Sequence, residues 1–181
     1  MSRTLFCICV FFAATVFAAN DVEKRIEEIA ALEKAHKFAE AIERSSVLTN
    51  GHPDNVPALY QFWNLIGTDR KWFRQEAVVS RAMTITPKDA KSAYMLGIII
   101  IGSGAGRPVD ERERRDSKAI ELFKRATKLD PKDLSAWFNL ASASAGRDVR
   151  DLKTSRDAYG KYIALGGGSE PLFEKRIQWK P

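Results

Sequence analysis

Apolar residues recur at steps of three and four positions along most of this chain, which is the spacing of a buried helical face. From Asp21 to Leu48 the pattern predicts two helices joined by a tight turn at His36–Phe38. The segment Asn50–Pro53 ends the second helix, because Asn and Gly adapt to a helix end and Pro cannot continue a helix. The apolar positions of this first pair are Ile26, Ile29, Ala30, Leu32, Ala35, Ala41, Ile42 and Leu48.

Three further helix pairs come after the first one. The second pair runs from Val56 to Thr86 with a break at Gly67–Arg70, the third begins at Asp89, and the fourth begins at Leu134 with a turn at Gly146–Asp148. The pattern therefore predicts four consecutive units, at about 22–55, 56–89, 90–133 and 134–167.

The prolines that close these units have a regular spacing. Pro53 and Pro87 lie 34 residues apart, and Pro131 closes a third copy. Small or apolar residues precede each proline by twelve, five and two positions, with Gln75 as the exception; they are Ala119, Ala126 and Leu129 before Pro131, and Gln75, Ala82 and Ile85 before Pro87. Internal repetition at this period indicates stacked helix pairs.

The third unit is longer than the others. Pro87 and Pro131 are 44 residues apart, so about ten residues have been inserted. The glycine-rich segment Gly102–Pro108 predicts a surface loop, and Asp110 to Lys118 contains no helix breaker, so it is expected to lengthen the following helix. A phosphate-binding loop is a poor match, since a helix precedes the glycines and their spacing differs from G-x-G-x-x-G.

The chain ends in a short segment that is predicted to cap the repeats. Gly166–Gly168 terminates the fourth unit, and Ser169–Pro171 is a plausible helix start. A capping segment at 169–181 is expected to cover the last exposed apolar face, since helical arrays need a terminal cap to remain soluble. The side chains expected to do this are Leu172, Phe173, Ile177 and Trp179.

Two phrases of the sequence resemble the tetratricopeptide repeat (TPR). Ala119–Pro131 resembles the second helix of that repeat almost position for position, and Trp137–Ala141 resembles its W-x-x-L-G first helix, with Ala in place of Gly. Ala93–Gly97 has the same Leu-Gly pair. The resemblance covers roughly 22–167 and is weakest in the first unit. It implies an all-α, right-handed α-solenoid of about four antiparallel helix pairs plus a C-terminal capping helix.

The resemblance also implies a concave groove, lined by the first helix of each pair, that binds an extended peptide or a partner helix. One groove-facing position corresponds to Ile26, Tyr60, Tyr94 and Phe138, and the position four residues on corresponds to Ala30, Asn64, Ile98 and Ser142. Members that grip chaperone C-terminal carboxylates carry lysine at the first position, so that activity is not expected here. The partner-binding hypothesis names Tyr60, Asn64, Tyr94, Ile98, Phe138 and Ser142; the alternative is that these aromatic residues pack between helices.

The N-terminus predicts export. Arg3 precedes an apolar run of 15 residues from Leu5 to Ala19, followed by small residues, as in a secretory signal peptide of residues 1–18 or 1–19. The run is shorter than the roughly 20 residues of a membrane span, although an uncleaved anchor remains the alternative, with membrane contact only through residues 1–19. The two cysteines, Cys7 and Cys9, lie inside it, so a disulfide-stapled domain is excluded. The expected location is secreted or periplasmic.

Charge gives a second, weaker binding hypothesis. The formal net charge is +6, but 23 acidic residues are interspersed, which argues against a nucleic-acid partner. The cluster Arg112, Arg114, Arg115 and Lys118 alternates with Asp110, Glu111, Glu113 and Asp116 and is interpreted as a solvated helix. A cleaner basic patch, which could contact an acidic ligand or phospholipid headgroups, consists of Arg147, Arg150, Lys153 and Arg156.

The sequence offers little material for catalysis. His36 and His52 are its only histidines, neither has a metal-ligand neighbour at suitable spacing, and no cysteine lies beyond residue 9. We therefore expect no catalytic residues, metal or cofactor. The sequence predicts an exported, non-enzymatic repeat scaffold for a protein or peptide partner of unknown identity; a membrane-tethered scaffold and an accessory module for an acidic ligand are the alternatives.

Overall fold

The computed structural model of the chain describes residues 21–66 and 72–180. Within them the regular structure is entirely α-helical, as predicted. Residues 21–34 form helix α1. The next eight helices are α2 (Phe38–Gly51), α3 (Val56–Ile66), α4 (Trp72–Ile85), α5 (Ala90–Gly102), α6 (Val109–Leu129), α7 (Leu134–Ser144), α8 (Leu152–Ala164) and α9 (Pro171–Ile177).

The chain divides into two compact units, Met1–Arg70 and Lys71–Pro181. Helices α1 to α3 belong to the first unit and α4 to α9 to the second. The boundary falls inside the second predicted repeat, at 56–89. The predicted break at Gly67–Arg70 and the predicted signal peptide at 1–19 lie outside the described residues.

The first unit has a small core to which all three helices contribute. Its buried side chains are Val22 and Ile29 of α1, Ala41 and Leu48 of α2, and Ala58 and Leu65 of α3. Ile26, which the repeat pattern assigned to a groove-facing position, packs against this core and is partly buried.

In the second unit, α5 and α6 pack at unusually short range. A β-carbon built on Gly97 of α5 would lie 2.6 Å from the Phe123 ring of α6, and Phe123 is itself fully buried. Only glycine lets the Phe123 ring lie this close to the backbone of α5. This explains the Leu96–Gly97 pair that the sequence pattern identified.

The insertion in the third repeat takes the predicted form. Helix α5 ends at Gly102, and α6 begins at Val109 and continues for 21 residues, so the charged stretch does lengthen the second helix. Two arginines of this added part are anchored. Arg112 Nε donates to Asp148 Oδ2 at 3.0 Å, and Arg115 donates to Glu76 Oε2 at 3.2 Å and to the Ile100 carbonyl at 3.3 Å.

The C-terminal segment packs on the last helix pair. Glu170 and Pro171 begin α9 as predicted. Ile177 is fully buried, and the Trp179 ring would lie 2.8 Å from a β-carbon on Gly160 of α8. Leu172 was expected to join this contact, and that expectation is wrong, because its side chain is 87% exposed.

A second set of contacts holds the C-terminal segment 169–181, the cap, through the buried hydroxyl of Tyr159. Tyr159 of α8 is fully buried, donates to Glu174 Oε1 at 2.7 Å and accepts from the Glu170 amide at 2.8 Å. Its ring also meets Phe173 and Trp179 at centroid distances of 5.3 and 5.4 Å. Tyr159 therefore joins α8 to α9 by both packing and hydrogen bonds.

Candidate functional site

The candidate groove residues of the first unit lie on α3. Tyr60 is half-buried, and Asn64, one turn later, is exposed. Their spacing places both on the same face of the helix. Asn64 is thus accessible to a partner at the surface of this unit.

In the second unit, two of the predicted groove residues line one cavity. Ile98 of α5 and Ser142 of α7 both face a space of about 350 Å³ between their helices. The remaining wall residues come from α5, α6, α7 and the turn after α7, and they are Ile101, Gly102, Asp116, Asn139, Ala143 and Gly146. The repeat pattern therefore brought together residues 44 positions apart in the sequence.

Tyr94 lies next to this cavity and is half-buried. Its hydroxyl accepts a 3.3 Å hydrogen bond from Asn139 Nδ2, which also donates to the Ser135 carbonyl at 2.8 Å. Burial and the nearby negative charge of Asp133 raise the pKa of Tyr94 above its ordinary value of 10.0. The phenol therefore stays protonated at physiological pH and links α5 to α7.

Phe138, the equivalent of Tyr94 in the fourth repeat, lies against the cap. Its ring contacts Tyr162 of α8 at a centroid distance of 5.1 Å and Phe173 of α9 at 5.8 Å. Phe138 is half-buried and is not part of the cavity wall. In this repeat the predicted aromatic position packs between helices.

Asp116 is the residue of this site that the sequence pattern did not reveal. Its carboxylate belongs to the cavity wall, and within residues 21–66 and 72–180 its side chain makes no hydrogen bond or ion pair. Burial raises the pKa of the Asp116 carboxyl, the negative charge of Asp148 raises it further, and Arg112 opposes the shift. A cation entering the cavity would relieve this destabilised charge.

Arg112 does not provide that cation. Its guanidinium makes two hydrogen bonds to Asp148, at 3.0 and 3.3 Å, and a third to the Arg107 carbonyl at 2.9 Å. The Arg112 interaction correspondingly lowers the pKa of Asp148. The pair Arg112–Asp148 is thus satisfied, and Asp116 leaves a net negative charge at the cavity wall.

The basic patch predicted at 147–156 is only partly available to a ligand. Arg147, Arg150 and Lys153 are exposed or half-exposed at the surface, whereas Arg156 is half-buried and donates to the Ile177 carbonyl of α9 at 3.3 Å. Two nearby acids are engaged elsewhere. Asp148 pairs with Arg112, and Asp151 caps α8 by accepting from the Thr154 amide at 3.0 Å.

A larger cavity, of about 480 Å³, lies between α1 and α2 of the first unit. Its lining carries both signs of charge: Arg25 and Arg44 face Glu28, Glu40 and Glu43. Arg44 also donates to Glu40 at 2.6 Å. Because these charges are mixed and partly paired, the lining favours no particular class of ligand.

Metal-ligand clusters and membrane-spanning helices were both sought among the described residues. Within 21–66 and 72–180, no three side chains of His, Cys, Asp or Glu come together as metal ligands would. In the same ranges, none of the helices combines the length and apolar character that spanning a bilayer requires.

Comparison with known proteins identifies the fold. No protein-family model matches the sequence, and no curated protein matches it. Among solved structures, the chain is similar to residues 41 to the end of MamA from Desulfovibrio magneticus RS-1, with 21% identity, a TM-score of 0.66, and coverage of 81% of this chain and 76% of that one.

Two other structures extend this comparison. A tetratricopeptide-repeat protein of Thermus thermophilus, TTC0263, has a TM-score of 0.66 at 11% identity, covering 86% of this chain and 79% of that one. An O-GlcNAc transferase mutant of Thermobaculum terrenum has a TM-score of 0.65 at 17% identity, covering 81% of this chain but only 26% of the transferase. The chain therefore has the fold of the tetratricopeptide-repeat solenoids.

Proposed function

We propose that this chain is an exported scaffold that binds a protein or peptide partner along the first helix of each repeat. The observation that carries the proposal is the cavity between α5 and α7, which Ile98 and Ser142 line and beside which Tyr94 lies. Apolar and hydrogen-bonding side chains are combined there at an accessible surface, as in surfaces that hold a polypeptide.

The proposal is tested by blocking the cavity. The exported fraction of the source organism is passed over the immobilised chain and over variants Ile98→Arg and Ser142→Lys, and retained proteins are compared. Both variants put a charge into the cavity and should lose the partners that the native chain retains. The control is Leu172→Asp, which adds a charge at a fully accessible position of α9. If both cavity variants retain the same proteins as the native chain, with unchanged circular dichroism, the groove proposal fails.

Export rests on the N-terminal sequence. A secreted or periplasmic chain should lack residues 1–18 or 1–19, whereas a membrane-tethered scaffold should retain them. Mass spectrometry of the N-terminus of the chain recovered from its source distinguishes the two. An intact Met1 contradicts cleavage and favours the tethered alternative.

We also propose that the scaffold has no catalytic activity of its own. The cavity wall offers one carboxylate, an amide and a hydroxyl, without a base within hydrogen-bonding reach of a nucleophile. The likeness to an O-GlcNAc transferase covers about a quarter of that enzyme and carries no assignment of its activity to this chain.

A second candidate, an acidic ligand at the basic patch, gains support from one observation. Asp148 and Asp151 are occupied by Arg112 and Thr154, so they neutralise the cations Arg147, Arg150 and Lys153 less than the sequence suggested. Binding at this patch would weaken as salt screens the charges. Binding that is insensitive to salt would contradict it.

A further inference from the structure

The cavity between α5 and α7 has an apolar floor and a charged wall. Ile98, Ile101 and Ala143 present hydrocarbon, and Asp116 contributes a carboxylate from α6. Gly102 at the end of α5 and Gly146 in the turn after α7 complete the lining. Gly146 lies close to the carboxylate, since a β-carbon built on it would stand 3.7 Å from Asp116 Oδ2. The turn after α7 therefore borders the cavity beside Asp116.

The carboxylate of Asp116 is the uncompensated charge of this wall. The two arginines that flank Asp116 on α6 are committed to other groups, since Arg112 binds Asp148 and Arg115 binds Glu76 and the end of α5. Asn139 is a neutral amide whose Nδ2 already donates to Tyr94 and Ser135. A half-buried carboxylate without a partner costs free energy that a positively charged ligand group would recover.

We propose that this cavity receives the side chain of a lysine or arginine from the bound partner, with Asp116 as the counter-charge. The aliphatic stem would lie on Ile98 and Ile101, while the cationic head would reach Asp116 and the polar groups of Asn139 and Ser142. Lysine and arginine are suited to such a site because their stems are apolar and their heads are charged. This inference rests on the proposed function and specifies the chemistry of the partner.

Other occupants fit the wall less well. A purely apolar side chain would bury Asp116 further without pairing it, and an acidic side chain would be repelled by it. A volume of about 350 Å³ is ample for one long side chain. The basic net charge of the whole chain does not oppose this choice, because the charges that face the occupant directly are those of the cavity wall.

The test uses small probes and the isotope-labelled full chain. Nα-acetyl-lysine methylamide and Nα-acetyl-arginine methylamide are titrated against the norleucine analogue, which keeps the stem and lacks the charge. Amide chemical shifts are followed by NMR. The basic probes should shift the amides of Ile98, Ser142 and Gly146, and their dissociation constants should be at least about fivefold lower than that of the norleucine probe.

Variants of the carboxylate give the decisive comparison. Asp116→Asn should abolish the preference for the charged probes without reducing norleucine binding, and Asp116→Glu should retain part of it. The matched control is Glu121→Gln, which removes an exposed carboxylate from the same helix and should change nothing. The proposal is overturned if Asp116→Asn binds the lysine probe as tightly as the native chain, if lysine and norleucine bind equally, or if no probe shifts these amides.

Failure here is distinguishable from failure of the groove. If Ile98→Arg and Ser142→Lys lose a partner that Asp116→Asn retains, the groove binds proteins but not through a basic side chain. If the basic probes bind while the cavity variants retain every partner, the pocket exists and the scaffold proposal is wrong. A second copy of this chain as the partner would appear as concentration-dependent self-association that Asp116→Asn abolishes, and this outcome would support the pocket.

Discussion

The two helix pairs α5–α6 and α7–α8 have related sequences but use the same aromatic position differently. Tyr94 of α5 lies beside an accessible cavity and hydrogen-bonds to Asn139 of the next repeat. Phe138 of α7 packs against Tyr162 and against Phe173 of the terminal helix. Tyr94 also contacts Phe123 of α6 at a centroid distance of 6.0 Å, so both residues pack on the second helix of their own pair and differ in what else lies next to them.

The difference arises from the element that comes next in the chain. After α5–α6 comes another repeat, whose first helix leaves a cavity at Ile98 and Ser142. After α7–α8 comes α9, a short helix whose Phe173 ring lies against Phe138 and Tyr159. The aromatic position of the last pair is thus covered by the terminal helix, whereas that of the interior pair lies beside a cavity.

The largest expected effect is on the terminal pair. Deleting residues 169–181 should lower the free energy of unfolding by roughly 3–5 kcal/mol, because it removes the burial of Ile177, Phe173 and Trp179. Chemical denaturation measures the loss. As a control, Leu172→Ala should change stability by less than about 0.5 kcal/mol, since that side chain is exposed. A deletion that is nearly neutral would show that α9 is not a cap.

The next effect tests whether Phe138 belongs to the cap. Phe138→Ala should cost about 2–3 kcal/mol in the full chain and at least about 1 kcal/mol less in the truncated chain, because its partner Phe173 is already gone. The stability cost of Tyr94→Ala should instead be the same in the full and the truncated chain. If the deletion reduced the effect of Tyr94→Ala as much as that of Phe138→Ala, Phe138 would have no special contact with the cap.

A smaller effect concerns the closeness of the helices within each pair. Gly97→Ala should destabilise by about 1–3 kcal/mol, because the new methyl group collides with the buried Phe123 ring. The reciprocal change in the last pair, Ala141→Gly, should cost about 1 kcal/mol through helix propensity. Thermal melting of both variants shows which of the two substitutions lowers stability more. A neutral Gly97→Ala would mean that the Phe123 ring can move aside without cost.

The smallest effect is a pH dependence of the cap. Hydrogen bonds from Tyr159 and Ser169 lower the pKa of Glu174 below its ordinary value of 4.5. The folded state therefore favours the charged carboxylate, so its stabilisation is present above that pH and is lost as the pH falls through the lowered value.

This dependence is measured by comparing native and Glu174→Gln chains at neutral pH and at about pH 3.5. The native chain should have the larger free energy of unfolding at neutral pH, and the difference between the two chains should become smaller in acid. Other titrating groups, such as Asp116 and Asp148, are common to both chains and cancel in the difference. A gap that is constant with pH would refute the role of Glu174.

Much of the architecture could be read from the sequence because it depends on local rules. Pro53, Pro87 and Pro131 mark the ends of helix pairs by excluding further helical hydrogen bonding. The glycines of 102–108 marked the loop, and Glu170–Pro171 marked the start of α9. The Leu-Gly pair at 96–97 marked the position where the Phe123 ring packs against the backbone of α5.

The site was less predictable because it depends on contacts between distant residues. Arg112 and Asp148 are 36 positions apart, and Arg115 and Glu76 are 39 apart, whereas the sequence pattern reported only charges within one or two turns. The segment at 110–118 therefore looked like a solvated helix. Once those two arginines are committed, Asp116 is left without a cation at the cavity wall, and nothing in its local sequence distinguishes it from Asp110 or Glu113.

The lengthened helix α6 has a consequence for how the second unit unfolds. Ordinary repeat arrays can lose terminal repeats one at a time, since each repeat contacts only its neighbours. Here a single helix reaches backwards to Glu76 of α4 and forwards to Asp148 beyond α7. Unfolding of α4, or of the turn after α7, breaks an ion pair with α6. The stability of both regions therefore depends on this one helix. Residues 72–180 are accordingly expected to unfold in one cooperative transition, with hydrogen exchange equally slow in α5 and α7.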